Sequence, residues 1–181
     1  MSRPAMSRYP ALTIFMHWLM LVLLIAVYAC IELRVIYPNG SVPREALKTW
    51  HFMLGLSIFA LVCVRVILRS FSSTPAIVPV PPRWQLYAAR MLHALLYLFM
   101  VAMPLAGWAL LSAAGKPIPF FGFELTPLIG ENKELAKQIK AIHVQVGEIG
   151  YYLIGIHALA GLFHHYIVRD NTLLRILPRN K

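Results

Sequence analysis

Four long apolar stretches, separated by polar or proline-rich connections, set the pattern of this chain. They run from about Leu12 to Leu33, Leu47 to Leu68, Leu86 to Leu111 and Ala141 to Val168. A helix crosses the hydrocarbon core of a bilayer with about 20 consecutive apolar residues, and each stretch reaches that length. The pattern predicts an all-α protein, an integral membrane four-helix up-down bundle, in a single transmembrane domain over residues 1–181. The connections are too short for a second domain. Between Ser70 and Arg83, Pro75, Pro79, Pro81 and Pro82 forbid helix and predict an extended linker. Pro104 and Gly107 predict a kink in the third span, tolerated where neighbours satisfy the freed backbone. Lys116 to Phe123 is aromatic and proline-rich and is expected to lie at the membrane interface. Glu131 to Lys140 reads as a short charged helix running into the fourth span.

Composition agrees with lipid as the solvent. Hydrophobic residues make up 59% and charged residues 13%, against about 25% charged in soluble domains. Arg3 and Arg8 precede an apolar run too long for a signal-peptide core, with no small-residue cleavage site, so the first span is expected to be retained. The formal charge of +10 is an insertion signal before it is a nucleic-acid patch. The N-terminal tail, the second connection and the C-terminal tail carry Arg3, Arg8, Arg65, Arg69, Arg83, Arg90, Arg169, Arg175, Arg179 and Lys181 against Asp170 alone: ten minus one, +9. The other two connections carry seven basic and six acidic residues, +1. The basic side faces the cytoplasm, so both termini are expected there. Cys30 and Cys63 sit near opposite faces, which disfavours a disulfide. No Cys-x-x-Cys-His is present, so any haem is not covalently attached.

Histidine carries the candidate chemistry. An ionisable side chain within a span is costly and marks function by default, although a single one reads equally well as a buried hydrogen bond. His143 and His157 are fourteen residues apart. At about 100° per residue this is only about 40° short of four full turns, so they share a face, about 21 Å apart along the axis. His17, early in an outward span, and His157, late in an inward one, belong near the cytoplasmic face. His51 and His143 each open an inward span and belong near the outer face. Two couples result, His17 with His157 and His51 with His143, each from different helices at one depth. Paired imidazoles in a bundle core are what a b-type haem with two histidine ligands requires, which predicts two haem b groups and outer-sphere electron transfer. Zinc is a poor alternative, since neither couple has an acidic or cysteine ligand beside it.

The neighbours admit two readings each. Gly55 lies one turn from His51, and Gly150 midway between His143 and His157; either lets a porphyrin or simply a helix approach. Arg65 shares the His51 stripe and ends near the cytoplasmic face, as a partner for haem propionates or as a snorkelling arginine. His93, near the cytoplasmic end of the third span, lacks a partner at its depth once His17 and His157 are paired, and reads as a propionate or quinone contact, with axial ligation the alternative. His164 and His165 close the fourth span, either at the haem edge or as interfacial anchors.

Several local sequences resemble the bacterial cytochrome b561 family. They are His17-Trp18, His51 with Gly55, Val64-Arg65, His93, His143, Gly155-Ile156-His157-Ala158, His164-His165-Tyr166 and Asp170-Asn171-Thr172-Leu173-Leu174-Arg175, with Pro178-Arg179 behind. Within the family the chain is most similar to the short four-helix branch with superoxide oxidase activity (superoxide:ubiquinone oxidoreductase). The resemblance implies a bacterial inner-membrane protein in which His17 and His157 ligate the cytoplasmic haem and His51 and His143 the periplasmic one. It also implies ubiquinone as acceptor, expected near Trp18, His164, His165 and Arg169. Superoxide, quinone and lipid are the expected partners, nucleic acid is not, and a monomer is the simplest assembly. Arg44, Lys48, Lys116, Lys133, Lys137 and Lys140 are candidates for steering superoxide. The histidine spacing is shared with cytochrome b subunits that anchor a dehydrogenase and feed the quinone pool, which is the alternative function. A cofactor-free transport or structural protein is a third.

Overall fold

The computed structural model describes residues 8–178. Arg3, Arg179 and Lys181, counted above on the basic side, lie outside the described residues, and so does the Arg179 of the family-like C-terminal stretch. Four helices form: α1 Ala11–Leu33, α2 Val42–Ser70, α3 Arg83–Ala113 and α4 Lys133–Phe163. Each is long and apolar enough to cross a membrane. Val22, Ile25, Leu98, Ile156 and Leu159 point outward, exposed, as suits a surface solvated by acyl chains.

The helices outrun their apolar cores because local signals extend them. Pro43 lies in the first turn of α2, where its missing N–H is not needed, and Glu45 there faces the positive end of the helix dipole. At the start of α4 the Asn132 side chain accepts a hydrogen bond from the Leu135 N–H at 3.0 Å. The charged segment from Glu131 to Lys140, expected to run as helix into the fourth span, is largely the opening of α4 itself. The prolines before Arg83 delay α3 as expected, and α3 runs through Pro104. The segment expected at the interface forms a minimal hairpin, β1 Pro119–Phe120 paired antiparallel with β2 Phe123–Glu124. Its turn places Phe121 and Gly122 at φ of 46° and 89°, so the glycine stands where a side chain would be strained. Ile118 before it is 1% exposed and packs with Leu56 and Leu111.

Helices pack in chain order, α1 on α2, α2 on α3 and α3 on α4, while among the described residues no Cα of α4 lies within 8 Å of α1 or α2. Met20, Ile58 and Val62 join α1 and α2 in one buried cluster, flanked by Tyr97, Met100 and Val101 of α3. α4 stands across a gap from α1. Where they meet, Gly150 is buried, and a Cβ there would collide with the Tyr28 hydroxyl and the Phe99 ring. Tyr28 is fixed, donating to the Gly147 carbonyl at 2.7 Å.

At the end opposite the hairpin, the C-terminal segment ties the others together. Helix α4 passes into a π-helical turn, His164–Val168, which Arg169 ends in the left-handed region at φ 59°. Asn171 N–H donates to the Val78 carbonyl and its side chain accepts from Val78 N–H, at 3.1 and 2.9 Å. Arg175, 6% exposed, donates to the Pro75 carbonyl at 2.5 Å, and its own carbonyl accepts from Tyr9 N–H at 3.1 Å. Trp18 Nε1 donates to the Ile176 carbonyl at 2.9 Å. This clamp joins α1, the proline linker and the tail after α4.

Replacing Gly150 with leucine should force Tyr28 and Phe99 apart and lower stability by about 3 kcal/mol, with Gly150→Ala lying between it and the parent. Unfolding midpoints in detergent micelles measure this; an unchanged Gly150→Leu midpoint would show the contact to be soft.

Candidate functional site

Imidazoles cross the gap between α4 and helices α1 and α2 at two levels. The ring centres of His17 on α1 and His157 on α4 are 6.2 Å apart, with planes at 65°. Those of His51 on α2 and His143 on α4 are 6.3 Å apart, at 76°. The near-identical spacing arises twice, at places where no backbone approach imposes it.

Each ring has its own support. His51 Nδ1 lies 3.0 Å from the Val27 carbonyl. A carbonyl only accepts, so Nδ1 carries the proton and Nε2 keeps its lone pair for a metal. His143 stands against Gly107, where a Cβ would be 3.5 Å from its Cε1. Its Nδ1 is buried without a hydrogen-bond partner. At the other level Arg65 Nη2 is 3.2 Å from His17 Nδ1, and its Nε donates to the Tyr97 hydroxyl at 3.3 Å. Arg65 thus belongs to the His17 level, as its place on the His51 stripe suggested. His93, expected near the cytoplasmic end with no partner left once His17 and His157 are paired, lies beside that couple. Its ring centre is 5.3 Å from that of His157, because α3 begins at Arg83 and lies directly on α4.

The two glycines divide. Nothing lies within 4 Å of a Cβ built on Gly55, which leaves open space one turn from His51. Gly150 meets Tyr28 and Phe99, so the protein itself fills the middle of the bundle between the two levels. These residues fit a planar cofactor whose metal is held by two imidazoles. Bonds of about 2 Å to each nitrogen, extended to the ring centres, place those centres roughly 6 Å apart. The bare Nε2 of His51, the orphaned Nδ1 of His143 and the open face of Gly55 agree with that fit.

The four residues expected at a quinone are gathered at the clamp end, with polar atoms partly engaged. Trp18 Nε1 is held by Ile176. His164 Nδ1 lies 2.6 Å from the Asp170 carboxylate. His165 packs edge-on against Tyr166, and Arg169 is exposed. Asp170 is 3% exposed. Burial alone would raise its carboxyl, but hydrogen bonds from His164 and Thr172 outweigh it and hold the group below its ordinary value. Sequence reasoning missed Tyr28, Phe99, Tyr97 and the Val27 carbonyl as neighbours of the histidines. Gly107 had been read only as part of a kink. No residue type announces a carbonyl acceptor, and an aromatic in an apolar run carries no signal of its own.

The family model described as prokaryotic cytochrome b561 matches residues 8–179. The chain is 42% identical over 176 residues to cytochrome b561 homolog 1 of Escherichia coli, covering 97% of this chain and 100% of that protein. It is 37% identical to the probable superoxide oxidase CybB of Yersinia pestis, over 97% of this chain and 98% of that one. Cytochrome b561 homolog 2 of Escherichia coli is 27% identical, over 96% and 93%.

Because the folded carboxyl of Asp170 titrates below its ordinary value of 3.8, its contribution is present above that value and lost as pH falls through the depressed one. Asp170→Asn should cost about 2 kcal/mol at neutral pH and flatten the acid limb of a plot of unfolding midpoint against pH. An acid limb identical to that of the parent would remove Asp170 as its source.

Proposed function

Since this chain belongs to the prokaryotic cytochrome b561 family, as a multi-pass bacterial membrane protein that binds haem b and transfers electrons, we propose that it takes electrons from superoxide at the periplasmic face and delivers them to ubiquinone. The observation that carries the reading is the pair of equally spaced imidazole couples, His17 with His157 and His51 with His143. The likeness to a protein named as a probable superoxide oxidase supports the donor. In this reading the chain lies in the inner membrane with both termini cytoplasmic and the hairpin end periplasmic.

Bound at each couple, haem b supplies a one-electron carrier. The protein's part is to hold, orient and exclude. The paired imidazoles would hold the iron from two helices, and the chemistry it would supply there is outer-sphere electron transfer. Val27 sets the tautomer of His51. Arg65 and His93, grouped around His17 and His157, would meet the propionates at that level. At the hairpin end Lys48 and Lys137 are neutralised by Glu45 and Glu134 at 2.6 and 3.1 Å, and Arg44 is bonded to the Arg34 and Tyr37 carbonyls. This leaves Lys116, Lys133 and Lys140, all exposed, as the cations best placed to draw in an anion.

A pyridine haemochrome assay should find two haems per chain. His51→Ala and His143→Ala should each lose one, and His17→Ala and His157→Ala the other, with superoxide-driven ubiquinone reduction falling to the dismutation background in all four. Retention of both haems by these variants would sink the pairing. A parent chain that carries both haems but reduces quinone only with a co-purifying dehydrogenase would replace superoxide as the donor.

A further inference from the structure

The clamp end carries positive charge that the protein does not neutralise. Arg8, Arg69, Arg83, Arg90, Arg169 and Arg175 lie there, and none of them pairs with a carboxylate among the described residues. Asp170 is the only acidic residue on this side, and it is buried and taken by His164 and Thr172. Arg8, Arg69 and Arg175 donate to protein oxygens, those of Pro178, Thr74 and Pro75. Arg83 and Arg90 donate to none among the described residues. Both are exposed, and Arg90 lies over the Tyr87 ring, 5.7 Å from its centre.

These two arginines share a face of α3. Their seven-residue interval falls about 20° short of two full turns, and the rise separates them by about 10 Å. Tyr87 stands between them, so the Arg90 guanidinium is turned back toward Arg83. Helix α3 has 31 residues and is about 46 Å long, against about 30 Å of hydrocarbon. Centred in a bilayer it projects about 8 Å on each side, which puts Arg83 among the head groups and Arg90 at the edge of the hydrocarbon. Trp84 and Tyr87, both exposed, occupy the belt between. Deeper in, Met91 and Leu98 are exposed and apolar, within about 80° of Arg83 around the axis. His93, which faces His157, lies about 80° round the other way, so the stripe looks out to lipid and not into the gap. From the helix start inward the order is cation, aromatic, cation, alkyl. A phospholipid has the same order in its phosphate, glycerol and tails. A nucleic acid or an acidic peptide arriving from water would match the cations but could not cover Met91 and Leu98 inside the bilayer.

We propose that this stripe of α3 binds an anionic phospholipid, its phosphate held between Arg83 and Arg90 and its acyl chains laid on Met91 and Leu98. The lipid supplies the counter-charge that the clamp end lacks. Its net negative charge sets it apart from the zwitterionic lipid that would solvate the rest of the bundle equally well.

The test uses the full-length holoprotein in a neutral detergent, titrated with phosphatidylglycerol or with phosphatidylcholine of identical chains, bound lipid being counted by native mass spectrometry. Phosphatidylglycerol should be retained where phosphatidylcholine is lost. Arg83→Gln and Arg90→Gln should each weaken its binding about fivefold, and the double variant more, while the haem spectrum and unfolding midpoint stay those of the parent. In the parent itself, phosphatidylglycerol with a diazirine in its acyl chain should label α3 between Met91 and Leu98, a readout that needs no variant. Equal retention of the two lipids, undiminished binding by a folded double variant, or labels confined to other helices would overturn the proposal. Displacement by millimolar inorganic phosphate would overturn it in favour of a simple anion site. A co-purifying acidic protein lost on the two substitutions would overturn it in favour of a protein partner.

Discussion

The architecture depends on a gap that is kept open. In lipid no hydrophobic force draws two apolar helices together, because acyl chains solvate them as well as leucine does. Helices close up only where packing or hydrogen bonding favours it. Here α1, α2 and α3 share a buried cluster around Val62, while α4 leans on α3 and keeps its backbone apart from those of α1 and α2, touching α1 through side chains such as Tyr28. That separation gives imidazoles on opposite sides room to face one another.

Something must stop α4 drifting, and the two ends of the bundle do so with polar chemistry. At one end the tail after α4 returns to donate and accept hydrogen bonds with the proline linker, the start of α1 and Trp18. At the other, Asn132 N–H donates to the Ala113 carbonyl and Ser112 accepts from Leu128 N–H, joining α3 to the loop that leads into α4. Between these ends the contact at Gly150 sets the width of the gap, with Tyr28 and Phe99 as spacers. Rigid ends and a glycine-lined middle hold the two histidine levels at fixed separation without a dense core.

Much of this was legible beforehand. The four spans follow from apolar run length, and the two histidine couples from the alternating direction of the helices and the fourteen-residue interval on α4. The clamp was legible only as a family-like string. Asn171 and Arg175 look like solvated tail residues until the linker carbonyls of Pro75, Ala76 and Val78 are placed beside them, and Asp170 does until His164 and Thr172 are. The sequence put His93 near the cytoplasmic end of its span but not which side chain it faces, which depends on how α3 lies against α4.

The sequence by itself determined the solvent, the number of crossings and the levels at which histidines occur. Those properties depend on composition and on the regular rise and turn of a helix, which are local. Only the tertiary structure decided which side chains stand beside each imidazole, that Gly150 takes aromatic rings while Gly55 faces open space, and that a gap remains between α1 and α4. These depend on rotation and spacing of helices about one another, which small differences in packing set and no single stretch of chain encodes.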